Sequence, residues 1–231
     1  MLTRYSRNVE TLSVEENDNM KNKTVCIIGC GGLGGYVIEM LARLGVGKLI
    51  AVDGDFFEES NLNRQILSEI SKLGCSKALT AVERVNKINP FVDITAVTER
   101  LTLENGIEII KNADVVVDAL DSVETRLILE GLCEKANIPL VHGAIGGWYG
   151  QVTSILPGDK TLSYFYKGKN LKGIETKLGN PSFTPALVAS IEVSEVVKIL
   201  ISRGESLSQK MLIIDLLNND YEVIQLNTSN L

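Results

Sequence analysis

The stretch Thr24-Val25-Cys26-Ile27-Ile28-Gly29-Cys30-Gly31-Gly32-Leu33-Gly34 decides how the whole chain is read. Its first half is a short apolar run, a buried strand. Its second half turns sharply into a helix whose Val37, Met40, Leu41 and Leu44 recur at helical spacing. Gly29, Gly31 and Gly34 stand in the G-x-G-x-x-G spacing. Missing side chains there let the backbone approach a phosphate, whose charge is favoured at the positive end of a helix. A second apolar run, Leu49 to Val52, ends in Asp53-Gly54-Asp55 about 20 residues beyond the last glycine. An acid in that position can accept hydrogen bonds from ribose hydroxyls. Taken alone the pattern fits NAD, FAD, S-adenosylmethionine or ATP, and such glycines can also serve only to pack a helix on a strand.

Outward from this strand, helix, strand unit the alternation continues. Lys77, Ala78, Val82, Val85 and Ile88 form a helical pattern stopped by Asn89-Pro90, and Ile94 to Val97 reads as a third strand. A helix over Leu103 to Ile110 precedes a fourth strand at Val115 to Val117, which runs into Asp118-Ala119-Leu120-Asp121-Ser122. A helix from Glu124 to Ala136 leads to a fifth strand, Pro139 to His142. Gln151 to Leu156 reads as a strand, Pro185 opens a long apolar helix through Ile201, and Met211 to Leu216 with Tyr221 to Leu226 reads as a hairpin. The expected fold is α/β: a doubly wound, Rossmann-like, largely parallel sheet with helices on both faces and a C-terminal antiparallel extension. Residues 1–231 are expected to form one domain, with 1–23 as a polar N-terminal arm and 158–182 as a crossover-type loop without periodicity.

Composition narrows the classes. With 45% hydrophobic and 23% charged residues, the 231-residue chain has an ordinary soluble composition. Its net charge of −6 argues against broad nucleic-acid binding, which needs a basic face. No apolar run approaches the roughly 18 residues of a membrane span, and the N-terminus is polar rather than a signal peptide, so the cytoplasm is the expected compartment. The four cysteines form no C-x-x-C pair, so no structural zinc is expected. Cys26 and Cys133 fall at packed apolar positions. Cys30 lies where a helix end can lower a thiol pKa, or simply fills a crowded turn; Cys75, in a polar turn, is either reactive or a spacer.

The polar residues add chemistry. Arg64 and Lys77 flank the helix after the second strand, and Asp118 and Asp121 offer hard oxygens suited to Mg²⁺. Cations and a metal match a triphosphate from which pyrophosphate departs. The bland alternative pairs Arg64 and Lys77 with Glu58, Glu59 or Glu69 on the surface. Arg4 and Arg7 around Tyr5 read either as solvated decoration or as a phosphate clamp. His142, the single histidine, has no evident orienting neighbour in the sequence and is read as structural. The glycine-dense Gly143 to Gly150 would let the chain cross close to the ligand face, with Trp148 as a core or lid residue. The lysines of 158–182 read as solvated or as a seat for an acidic partner.

The chain resembles the ThiF/MoeB/HesA family, relatives of the ubiquitin-activating enzymes, over nearly its whole length. The resemblance rests on Arg4 to Arg7, Gly29 to Gly35, Asp53 to Asp55, Ser60 to Gln65, Ser76 to Ala78, Asn89-Pro90, Asp118 to Arg126 and Gly150 to Val152. It implies an adenylyltransferase that uses ATP and Mg²⁺ to activate the C-terminal Gly-Gly carboxylate of a small ubiquitin-like sulfur carrier, for thiamine or molybdopterin-type cofactor synthesis. It further implies that Gly29, Gly31, Gly32 and Gly34 form the phosphate turn and that Asp53 holds the ribose beside Asp55. Asn61, Arg64, Gln65 and Lys77 then contact the nucleotide, and Asp121 holds Mg²⁺. Arg7 reaches the ATP of a neighbouring subunit, so the implied state is a homodimer. The implied step, attack of a carboxylate oxygen on the α-phosphorus, needs positioning and charge stabilisation but no general base. Two departures stand out: the paired C-x-x-C motifs are missing, and residues 158–185 hold no cysteine for covalent transfer, which points to a separate sulfur donor. The competing readings are adenylation of a small-molecule carboxylate, an NAD-dependent oxidoreductase, and a non-catalytic nucleotide-binding scaffold.

Overall fold

The computed structural model describes residues 3–166 and 178–226. In chain order the elements are α1 (Val14–Met20), β1 (Thr24–Ile28), α2 (Gly32–Leu44), β2 (Lys48–Val52), α3 (Lys77–Ile88), β3 (Asp93–Val97), α4 (Gly106–Ile110) and β4 (Val115–Asp118). They continue with α5 (Val123–Ala136), β5 (Leu140–Gly146), β6 (Tyr149–Ile155), α6 (Thr161–Phe165), α7 (Phe183–Ile201), β7 (Lys210–Asp215) and β8 (Asp220–Gln225). The strands form one sheet in the order β3-β2-β1-β4-β5-β6-β7-β8. Strands β1 to β5 are parallel, and β6, β7 and β8 add antiparallel.

Alternation along the strands explains why helices cover both faces. Val25, Ile27, Val115, Val117 and Val141 point to one side, where they pack with Leu41 of α2, Ala81 of α3 and Val196 of α7. Cys26, Ile28, Val116 and Leu140 point to the other, against Ile110 of α4, Leu129 of α5 and Leu162 of α6. A strand buried on both sides carries an unbroken apolar run, and a one-residue slip would exchange the two cores.

The N-terminal arm is stitched to the body rather than solvated. Ser13 and Glu16 form a capping box that starts α1. Tyr5 is buried, and its hydroxyl accepts from Asn89 Nδ2 at 2.7 Å; the same amide nitrogen donates to Ala42 O at 2.6 Å. Arg4 donates to Asn89 Oδ1 at 2.6 Å and lies over the Phe91 ring. Arg4, exposed on the arm, thus ties it to the end of α3.

Three other expectations change. Helix α4 starts at Gly106 rather than Leu103, because Thr102 and Asn105 cap each other in a turn through the Thr102 hydroxyl and the Asn105 amide. The segment 158–182 contains α6, whose first backbone N–H groups, Leu162 and Ser163, donate to Glu130 of α5 at 2.6 and 2.9 Å. Lys167, Lys169, Lys172 and Lys177 lie outside the described residues. The stretch 143–150 reaches the ligand face at Ile145, but two of its glycines also make room for α7: a β-carbon on Gly143 would stand 2.4 Å from the Glu192 carboxyl, and one on Gly150 2.4 Å from Val188.

Candidate nucleotide-binding site

The order 3-2-1-4-5 places the reversal of sheet direction between β1 and β4, and a crevice opens beyond the carboxyl ends of strands at such a point. A cavity of about 560 Å³ lies there, between the ends of β1, β2 and β4. Its size is that of a small-molecule site.

The glycine turn forms its floor. Gly29 leaves β1 at φ +100°, in the left-handed region that a side chain disfavours. A β-carbon on Gly34 would fall 1.8 Å from Gly29 O, so the two glycines let α2 press directly on the end of β1. Gly34 therefore acts by packing. Gly31 and Gly32 line the cavity at the start of α2, and no side chain caps that helix end. Free N–H groups and the helix dipole leave the turn suited to an anion.

Around this floor stand an acid cluster and the cations Arg64, Lys77, Arg100 and Arg126. Asp53 accepts from Cys30 N through Oδ2 and from Asp55 N through Oδ1, both at 2.8 Å, which fixes its carboxylate at the end of β2 with lone pairs to spare. Lys77, the first residue of α3, is nearly buried and brings Nζ to 4.0 Å from Asp55. Arg64 donates to Ser60 O at 3.0 Å and to Asn63 Oδ1 at 2.8 Å, not to any glutamate. The surface pairing with Glu58, Glu59 or Glu69 is thus not formed by either cation. Gln65 lies against Gly31, and its buried Oε1 has no partner among the described residues. Asp121 lines the same cavity beyond β4.

Besides Gly34, two sequence-derived residues stand apart from this wall. Asn61 is buried in a short 3₁₀ turn, Glu59–Asn61, where its Oδ1 accepts from Glu58 N at 3.0 Å; it shapes the segment that presents Arg64. Arg7 is exposed on the N-terminal arm.

Asp118 corrects the sequence reading of a second Mg²⁺ donor. It is fully buried, with Oδ2 at 2.7 Å from His142 Nδ1 and Oδ1 accepting from Leu120 N at 3.0 Å. His142 in turn is oriented after all, by a carboxylate that the strand register sets opposite it. Burial lowers its pKa, a pull that Asp118 only partly opposes, so the ring is neutral and, being fully enclosed, is no base for a ligand. Of the two readings of Cys30, the packed one holds: complete burial raises its thiol pKa, with Asp53 adding to the effect. Burial likewise pushes Cys133 up to about 12, and Cys75 alone of the four is exposed.

The sequence reading missed Arg100 and Asn180. Arg100 follows β3 and donates to Asp55 Oδ1 at 2.7 Å, a third cation on the rim; its place just beyond a strand's carboxyl end is the signal that could have found it. Asn180 reaches the wall from the segment before α7, where its carbonyl accepts from Asn63 Nδ2 at 3.1 Å. No local pattern announces a contact between such distant parts of the chain.

Comparison with known proteins identifies the family. The chain is 34% identical to the SAMP-activating enzyme E1 of Haloferax volcanii, over 99% of this chain and 86% of that protein. It is 34% identical to the sulfur carrier protein adenylyltransferase of Thermus thermophilus, over 95% of this chain and 85% of that one. The sulfur carrier protein ThiS adenylyltransferase of Bacillus subtilis is also 34% identical, over 95% of this chain and 67% of the relative. Among solved structures, E. coli MccB with ATP shares the fold, with a TM-score of 0.80 and 21% identity over 98% of this chain and 72% of that one. The model of the ThiF family matches residues 5–230, and this chain belongs to that family.

Proposed function

We propose that this protein is an ATP-dependent adenylyltransferase that activates the C-terminal carboxylate of a small ubiquitin-like sulfur-carrier protein and releases pyrophosphate. One observation carries the reading: the bare start of α2, Asp53, Arg64, Lys77 and Asp121 all face a single cavity at the β1–β4 switch point. Relatives 34% identical to this chain that carry the names of sulfur-carrier adenylyltransferases support the choice of substrate.

In this reading Asp53 binds the ribose, and the N–H groups at Gly31 and Gly32 hold phosphate oxygens. Arg64 and Lys77 stabilise the charge that grows on the departing pyrophosphate, in a site where positioned charges act more strongly than in water. The carrier's carboxylate is ionised at neutral pH and attacks the α-phosphorus directly. His142 is enclosed away from the cavity wall, in keeping with a step that needs no base. Mg²⁺ fits this donor set. Among the described residues no group of three or more His, Cys, Asp or Glu side chains could hold a metal, and Mg²⁺ characteristically combines one or two carboxylates with substrate phosphates and water. Asp121 is the carboxylate we assign to it; when bound, the ion neutralises phosphate charge. Residues Cys26, Cys30 and Cys133 are buried, and the exposed Cys75 does not line the cavity, which favours a separate sulfur donor.

ATP–pyrophosphate exchange tests the reading. It should appear with a carrier ending in Gly-Gly, vanish when that tail is removed, and fall about 100-fold or more in Arg64→Ala, Lys77→Ala or Asp121→Ala. Exchange without any carrier, or driven equally by small carboxylates, would overturn the assignment of a protein substrate. Arg7 is placed in this scheme as a residue that completes the site of a partner subunit in a homodimer.

A further inference from the structure

The cavity wall beyond β4 depends on Asp118, His142 and Gln151, none of which lines the cavity. Asp118, the last residue of β4, has His142 of β5 as its register partner, and Gln151 of β6 pairs with Ala144, two residues further along β5 and on the same face as His142. Three neighbouring strands thus place Asp118, His142 and Gln151 side by side. Gln151 Nε2 lies 3.3 Å from His142 Nε2 and donates to Tyr166 Oη at 3.2 Å. An amide nitrogen only donates, so His142 Nε2 accepts and the ring proton sits on Nδ1, directed at Asp118 Oδ2 2.7 Å away. At the far end Asp118 Oδ1 holds Leu120 N at 3.0 Å, and Arg126 Nη2 holds Leu120 O at 2.5 Å. Both backbone polar groups of the residue before Asp121 are therefore clamped, one of them by a carboxylate whose orientation is set through His142 and Gln151.

We infer that His142, Gln151 and Tyr166 are positioning residues: a directional hydrogen-bond chain that fixes the Asp118–Asp121 turn and so aims the Asp121 carboxylate into the cavity. The inference rests on the proposed role of Asp121, but the chain itself can be tested without it. A neutral imidazole is what its burial favours. Packing alone would need a ring of this size at 142, whereas the chain needs an N–H at the Nδ1 position.

That difference defines the experiment. His142 is the only histidine, so ¹⁵N-histidine labelling of untagged protein gives one imidazole spectrum. We expect a neutral ring at pH 7, protonated on Nδ1 and bare on Nε2; a ring protonated on Nε2 would overturn the chain. Binding of ATP is then measured by calorimetry with Mg²⁺ and with EDTA. His142→Phe keeps the ring and should weaken Mg²⁺-dependent binding about 10- to 100-fold, the usual cost of removing the support of a ligating group. His142→Asn, whose amide N–H overlays Nδ1, should recover most of that loss, and binding in EDTA should change little in either. Equal losses in both variants, or equal losses with and without Mg²⁺, would show a merely structural role. If His142→Phe does not fold, Gln151→Met carries the same comparison with the histidine intact. Wild-type protein that binds no ATP would defeat the proposed function instead, while the imidazole spectrum would still decide the chain.

Discussion

Glu192 is the residue at which burial and charge conflict most openly. It is fully enclosed on α7, neither carboxyl oxygen has a partner among the described residues, and burial drives its pKa well above the ordinary carboxylate range, with Asp118 adding to the rise and Arg126 opposing it. The folded protein consequently keeps this proton to higher pH than the unfolded chain. The sign follows: the associated stability is fully present below the unfolded pKa and is lost as pH rises towards the folded one. Glu192→Gln removes the titration, so its melting temperature should gain on the wild type between pH 5 and pH 8, each kcal/mol reading as about 2–4 °C. Parallel curves over that range would show that Glu192 is charged or hydrated in the folded state. Nothing in the sequence marks this residue, since a glutamate in an apolar helix reads as its solvent-facing position. Asp53, Arg64 and Lys77 were legible for the opposite reason: each sits at a fixed offset from a strand or helix end, and that offset sets its direction.

At the level of elements, the N-terminal arm shows how a motif can be recognised without its work being understood. Arg4-Tyr5 and Asn89-Pro90 stand far apart in the chain, yet Asn89 joins Tyr5, Arg4 and the end of α2 through hydrogen bonds of 2.6 to 2.7 Å. Asn89→Ala should leave buried partners unsatisfied and cost about 2 kcal/mol in denaturant unfolding, and it should speed proteolysis of the arm. ATP affinity should be unchanged, because Asn89 is not part of the cavity wall. A loss of affinity equal to that of Lys77→Ala would overturn the structural reading of the latch. Apolar runs locate the strands closely except β5, which continues past His142 to Gly146, whereas the pattern makes α4 too long and shows neither α1 nor α6. The period of such short helices is masked by capping side chains, and in α6 the capping group comes from Glu130 on another helix.

For the whole molecule, Arg7 poses the open question. It is exposed on the arm and outside the cavity of its own chain, while the family resemblance assigns it to a partner's site. If a homodimer shares sites in this way, mixing inactive Arg7→Ala with inactive Lys77→Ala should restore exchange at about one site in four, since random pairing makes half the dimers mixed and each has one intact site. No recovery after subunit exchange would place Arg7 outside catalysis in trans. The alternation of strands and helices, the glycine turn and the acid after β2 were fixed by local pattern, because backbone geometry and side-chain period act over a few residues. Local pattern could not decide that Asp118 faces His142 instead of a metal, that Gly143 clears space for Glu192, or that Arg100 and Asn180 complete the wall. Those outcomes depend on which strands become neighbours and how closely helices approach them, and only the assembled sheet sets these distances.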